Sequence, residues 1–176
     1  DAYAIINNPD VDIVVELIGG IEPARTFILD SLKAGKHVVT ANKALLASKG
    51  KELFDAAQTC GRDLYYEASV GGGIPIIKTL RESLIANNFV FIYGILNGTC
   101  NFILTEMSEK GSSFEDTLRQ AQELGYAEAN PAMDVEGTDS AHKLAIITSL
   151  AYGVPPDMSG VYVEGISGLD ILDVGY

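Results

Sequence analysis

Residues 130–143, NPAMDVEGTDSAHK, place three carboxylates (Asp134, Glu136 and Asp139) around one glycine, with Lys143 four residues beyond the last acid. An almost purely apolar run, LAIITSLAYG, follows at once. Asp139 and Lys143 stand at i and i+4, so a helix puts them on one face. The plain alternative is an exposed ion pair worth roughly a few tenths of a kcal/mol. Ala141, Leu144, Ala145, Ile146, Ile147, Leu150 and Ala151 cover most of the helix circumference, however, and a helix apolar nearly all round is buried. A lysine carried into such surroundings is costly unless paired, and its pKa falls readily. The nearby helix N-terminus pushes in the same direction. The pattern predicts a proton donor beside a carboxylate. The spacing of Glu128, Asp134 and Glu136 does not match a calcium-binding helix–loop–helix motif. Acids converging near a lysine would suit a substrate carrying an ammonium group.

Two further stretches could do chemistry. VTANK, residues 39–43, ends a predicted strand, and in open α/β sheets ligands bind at that edge. Lys43 there is a candidate, against the simpler reading of a solvated helix start. NGTCN, residues 97–101, joins a predicted strand to a helix, so its backbone N–H groups could hold a small anion. Cys100 within it could act as a nucleophile. Nothing pairs it with either histidine, His37 or His142, and a buried structural thiol is the simpler reading.

The elements that must position these residues follow from punctuation and periodicity. VDIVVELIG (11–19), HVVTAN (37–42) and DLYYEASV (63–70) are short, apolar and rich in Val and Ile, which predicts buried strands. Between them, residues 22–36 and 43–61 carry Pro near one start and Gly at both ends, the punctuation of helices. Such alternation predicts parallel βαβ units. GGG at 71–73 breaks the rhythm. Beyond it, 74–87 reads as a helix, FVFIYGIL (89–96) as a strand, 98–111 and 114–125 as helices and 126–137 as an acidic loop. Residues 138–152 read as the buried helix, VYVEGIS (161–167) as a final strand, and LDILDV starts a further element. The expected fold is α/β: a partial parallel sheet over 1–70, then an α+β domain over 71–176. A dinucleotide-binding domain opens on strand, Gly-x-Gly-x-x-Gly, helix, and the triple glycine lacks that spacing. The chain reads as starting in a loop and stopping just past a strand, cut at both ends.

Composition narrows the classes. In 176 residues, 47% hydrophobic and without low-complexity runs, a folded globular protein is expected. A net charge of −12 argues against nucleic acid as the main partner, since phosphate binding needs basic patches. No apolar stretch reaches the length of a membrane span, and no signal peptide opens the chain. Two cysteines make neither a metal spacing nor a disulfide framework, and free thiols in a reducing cytoplasm are expected.

VTANKALLA, YEASVGGGIPII, GILNGTCNFILT and LGYAEANPAMDVEGTDSAHKLAI together resemble homoserine dehydrogenase, over essentially the whole chain. The resemblance implies the middle of a Rossmann-like enzyme that interconverts L-homoserine and L-aspartate 4-semialdehyde with NAD or NADP, on the route to threonine and methionine. It implies a cytoplasmic homodimer whose second domain serves catalysis and dimerisation. By that resemblance Lys143 is the proton donor, with Asp139 its carboxylate neighbour in the substrate site. Glu128 and Asp134 bind substrate, and Gly98, Thr99 and Tyr126 line the same site. Lys43 lies between nicotinamide and substrate. Ile18, Gly19 and Gly20 lie under the cofactor. Glu67, Val70, Gly72 and Ile74 hold a monovalent cation, usually sodium. Two other readings compete: a semialdehyde dehydrogenase acylated on Cys100, and a non-catalytic substrate-binding or dimerisation domain.

Overall fold

The computed structural model describes residues 1–175. Three short strands form as the apolar runs predict: β1 (Ile13–Glu16), β2 (His37–Thr40) and β3 (Leu64–Tyr65). They pair in parallel in the order β1-β2-β3, with Val14 opposite Val38, Glu16 opposite Thr40, and Val38 opposite Leu64. Parallel neighbours need a crossover, and helices α2 (Ala24–Lys33) and α3 (Lys43–Cys60) supply the two. Ile28, Leu32, Val38, Leu45, Leu46 and Leu53 are fully buried, so the core of this region lies between sheet and helices. Asn42 caps α3 by accepting from the Leu45 amide at 3.1 Å, and Gly61 ends it at φ +61°, a left-handed value that costs glycine little.

The chain forms two compact units. One takes Asp1–Ile92 and His142–Gly160, the other Tyr93–Ala141 and the stretch from Val161. The first unit also holds helix α1 (Ala2–Ile6), a 3-10 turn at Glu67–Ser69, and α4 (Ile76–Lys78), which runs on as a π-helical turn over Thr79–Ser83. The expectation of a loop at the start is therefore corrected: Asp1 accepts from the Tyr3 amide and caps a helix that buries Ile6.

The second unit is helical: α5 (Gly98–Lys110), α6 (Phe114–Glu123), α7 (Ala132–Val135) and α9 (Ile171–Val174), with the first residues of α8 (Thr138–Tyr152). Ile103, Met107, Phe114, Ala121, Ala127 and Val135 form its buried cluster. The strands expected at 89–96 and 161–167 do not form. Among the described residues neither segment joins a ladder, and Val90, Tyr93 and Tyr162 are 85–89% exposed. A strand is stabilised by backbone pairing, so β-branched and aromatic composition without a partner leaves an extended chain. The 161–166 stretch is instead anchored where the Ile166 amide donates to the Val135 carbonyl at 2.7 Å.

Candidate active site

In the first unit, the C-terminal edge of the sheet carries a buried polar network. Glu16 ends β1 and Thr40 ends β2, so the register sets them side by side. One oxygen of Glu16 accepts from the Thr40 hydroxyl at 2.7 Å. The other accepts from the backbone amides of Ile18 at 2.7 Å and Gly19 at 3.2 Å. The Thr40 hydroxyl accepts from the Asn42 amide, and Asn42 donates its side-chain N–H to the Gly20 carbonyl at 2.6 Å. A buried carboxylate must be hydrogen-bonded to be tolerated, and these donors come from the loop it shapes. Ile18, Gly19 and Gly20 are exposed, Gly19 and Gly20 at φ +78° and +71°, and nothing lies within 4 Å of a Cβ built on either glycine. The loop is therefore open to close approach by a ligand. Lys43, half-buried, opens α3 directly after the capping Asn42.

The turn over residues 67–74 lies in the same unit. Both carboxylate oxygens of Glu67 cap α4, accepting from the Ile77 amide at 2.9 Å and the Lys78 amide at 2.8 Å. Gly71 and Gly73 have φ +61° and +82°, which permits the tight turn. The carbonyls of Glu67 and Ile74 accept from the amides of Val70 and Ile76. Among the described residues no group of three or more His, Cys, Asp or Glu could hold a metal, so any cation here depends on backbone oxygens.

In the second unit the acids gather around Asn97. This side chain, 6% exposed, caps α5 by accepting from the Cys100 amide at 2.8 Å. Its amide nitrogen donates to Asp134 at 2.6 Å and to Asp139 at 2.9 Å. Thr99, in the first turn of α5, donates its hydroxyl to the Tyr126 carbonyl at 2.7 Å. The Tyr126 ring packs 5.0 Å from Phe102. Gly98, the first residue of α5, is exposed. Asp134 and Asp139 thus meet, with Thr99 and Tyr126 tied to the same helix start. Glu128 is exposed, and its carbonyl oxygen takes the Gln122 amide. Lys143 is half-buried on α8, in the part of that helix assigned to the first unit.

Cys100 is not an activated thiol. It donates to the Asp134 carbonyl at 3.2 Å, and its pKa is pushed up to about 11, first by burial and then by the charges of Asp134 and Asp139. Nucleophilic cysteines need an electropositive setting, and this one is electronegative.

Sequence reasoning missed Glu16, Thr40, Asn42 and Asn97. Glu16 carried a signal, as the one charge within the apolar VVELIGG. Asn97 carried only half of one: it reads as a cap, but its second pair of contacts comes from residues 37 and 42 positions away.

A parallel sheet with helical crossovers and an open glycine loop past its C-terminal edge defines an α/β protein of Rossmann-like type. Known proteins narrow this to a family. The profile described as "Homoserine dehydrogenase" matches residues 75–176, and that described as "Homoserine dehydrogenase, NAD binding domain" matches residues 1–67. Homoserine dehydrogenases of Pseudomonas aeruginosa and Bacillus subtilis are 53% and 47% identical over the whole chain, which spans 41% of each. The crystal structure of a homoserine dehydrogenase from Thiobacillus denitrificans superposes with a TM-score of 0.97 at 53% identity, over 100% of this chain and 41% of that one. A hyperthermophilic archaeal homoserine dehydrogenase in complex with NADPH superposes with a TM-score of 0.85 at 30% identity, over 97% of this chain and 53% of that one. The chain belongs to the homoserine dehydrogenase family and spans about two fifths of the curated relatives it matches. Among the described residues no helix is long and apolar enough to cross a membrane.

Proposed function

We propose that the chain serves in a homoserine dehydrogenase, interconverting L-homoserine and L-aspartate 4-semialdehyde with NAD or NADP in the cytoplasm, on the route to threonine and methionine. The observation that carries this reading is the pair Asp134 and Asp139 held on one neutral amide. Two carboxylates brought together on one amide nitrogen suit a substrate ammonium. Asp134 and Glu128 bind that ammonium, and Asp139 stands beside the reacting end. Gly98, Thr99 and Tyr126 line the site, where the amides at the start of α5 suit the substrate carboxylate.

A nicotinamide bound at this loop would supply the hydride acceptor and donor for the carbinol carbon. Reduction of the aldehyde leaves negative charge on oxygen, which must be stabilised and protonated. Lys143 gives that proton, and takes it in the reverse direction. Lys43 steadies the same oxygen electrostatically. Ile18, Gly19 and Gly20 receive the cofactor on the loop that Glu16 shapes. Glu67, Val70, Gly72 and Ile74 would hold a monovalent cation such as sodium through carbonyl oxygens, a donor set of low charge that suits a hard ion. The division into domains falls near residue 70, with 1–70 serving the cofactor and 71–176 serving catalysis and dimerisation. The bare apolar segment around Val90 and that around Tyr162 support a homodimer, since large exposed apolar patches mark interfaces.

The deciding experiment follows NADPH formation from homoserine by the intact enzyme. Asp134→Ala should raise the KM for homoserine at least about tenfold while the cofactor KM stays put. An unchanged homoserine KM would remove the basis for the reading.

A further inference from the structure

We propose that Asn97 is a positioning residue for homoserine, setting the placement of Asp134 and Asp139, a role that rests on the reading of those acids given above. Its chemistry is fully used. The carbonyl oxygen caps the Cys100 amide at 2.8 Å, and the single NH2 group donates to Asp134 at 2.6 Å and to Asp139 at 2.9 Å. The opposite amide orientation would turn an oxygen toward two carboxylates and a nitrogen toward an N–H donor, so only this one satisfies every partner.

Capping alone does not require asparagine. Ser, Asp and Asn cap helices about equally well. Aspartate would set a third negative charge between the two already there, and serine has one donor on a shorter arm. Asparagine alone joins a cap acceptor to two donors, so the residue type reports the clamp as well as the cap. A neutral donor also differs from lysine or arginine in what it leaves behind. It fixes the two carboxylates side by side and adds no charge of its own. Because the same side chain begins α5, it ties the two acids to Gly98 and Thr99. Asn97 and Asp139 are each 6% exposed, so this part of the clamp is buried.

The test uses the intact enzyme and four variants: N97S, N97D, N97A and D134A. N97S keeps the cap and replaces the two amide donors by one hydroxyl on a shorter arm, out of reach of both acids at once. Its thermal midpoint should stay near wild type, its homoserine KM should rise about tenfold, and its cofactor KM should hold. N97D also keeps the cap but adds a charge, and should lose more than N97S. N97A loses cap and clamp together and should fall in both thermal midpoint and KM. If N97S or N97D folds with a wild-type homoserine KM while D134A raises it, Asn97 is a cap only and the proposal fails by itself. If D134A leaves the KM unchanged, the reading of the acids fails and takes this proposal with it. Should N97S not fold, N97D decides, since it is nearly isosteric.

Discussion

Glu16 and the Asp134–Asp139 pair are buried or half-buried acids handled in opposite ways. Glu16 receives three donors from its own neighbourhood: the Thr40 hydroxyl and the amides of Ile18 and Gly19. Its charge is spent on shaping a loop. Asp134 and Asp139 share one neutral amide nitrogen from Asn97. Their charges are fixed in place and only lightly compensated by it. A carboxylate surrounded by donors of the loop it shapes is structural, whereas the pair gathered on Asn97 is the one we propose for the substrate ammonium.

The largest effect expected belongs to the chemical step. Lys143→Ala in the intact enzyme should cut kcat by about 10²–10⁴, the usual worth of a positioned acid–base group, with a far smaller change in homoserine KM. If Lys43→Ala abolished turnover and Lys143→Ala did not, the roles assigned to the two lysines would be exchanged.

Glu16→Ala breaks the other side of the comparison. It strands a buried hydroxyl and two loop amides, and should cost about 2–3 kcal/mol of folding stability by denaturant titration, with weakened cofactor binding. Glu16→Gln keeps an acceptor for the loop amides and can donate to Thr40, so it should recover most of the loss. Equal damage from both would mean that the charge itself matters, and the contrast drawn here would be wrong.

Gly165→Ala sharpens the packing beside the acids. A Cβ there would meet the Val135 carbonyl oxygen at 2.7 Å and the Glu136 Cα at 2.8 Å, both backbone atoms that cannot rotate away. A loss of about 1–3 kcal/mol is expected, the usual cost of overpacking. Gly98→Ala, with nothing within 4 Å of the added carbon, is the packing control in the same unit.

The smallest effect belongs to Cys100. Cys100→Ser should leave kcat within about twofold, because a thiol with a pKa near 11 is protonated at neutral pH. Alkylation of the folded protein at this residue should stay slow until pH approaches that value. The sign for stability follows from the same shift. The folded state holds this proton more tightly than the unfolded one, so raising pH from about 9 through 11 should weaken folding. Fast labelling at pH 7 with parallel loss of activity would return the cysteine mechanism to contention.

Much of this was legible in the residues. The three strands and their two crossover helices lay in runs of Val and Ile between Pro and Gly markers, because local punctuation and burial agree there. The acid-rich block 130–143 also read as chemistry, since charges at the mouth of an apolar helix have few bland explanations. The expected strands at 89–96 and 161–167 fared worse. Their composition is that of strands, but a ladder is made by a partner, and a run of Val, Phe and Tyr does not say whether one is present.

Composition and spacing by themselves determined the parallel sheet and the helix that carries Asp139 and Lys143, and the resemblance of four quoted stretches pointed to the family, because each is written in residues near one another along the chain. Only the tertiary structure decided that Glu16 is consumed by its own loop and that Asn97 gathers two distant acids. Those assignments depend on which donors reach a buried carboxylate. Folding brings the Thr40 hydroxyl to Glu16 from 24 residues away and the Asn97 amide to the two acids from 37 and 42, where no local pattern records them.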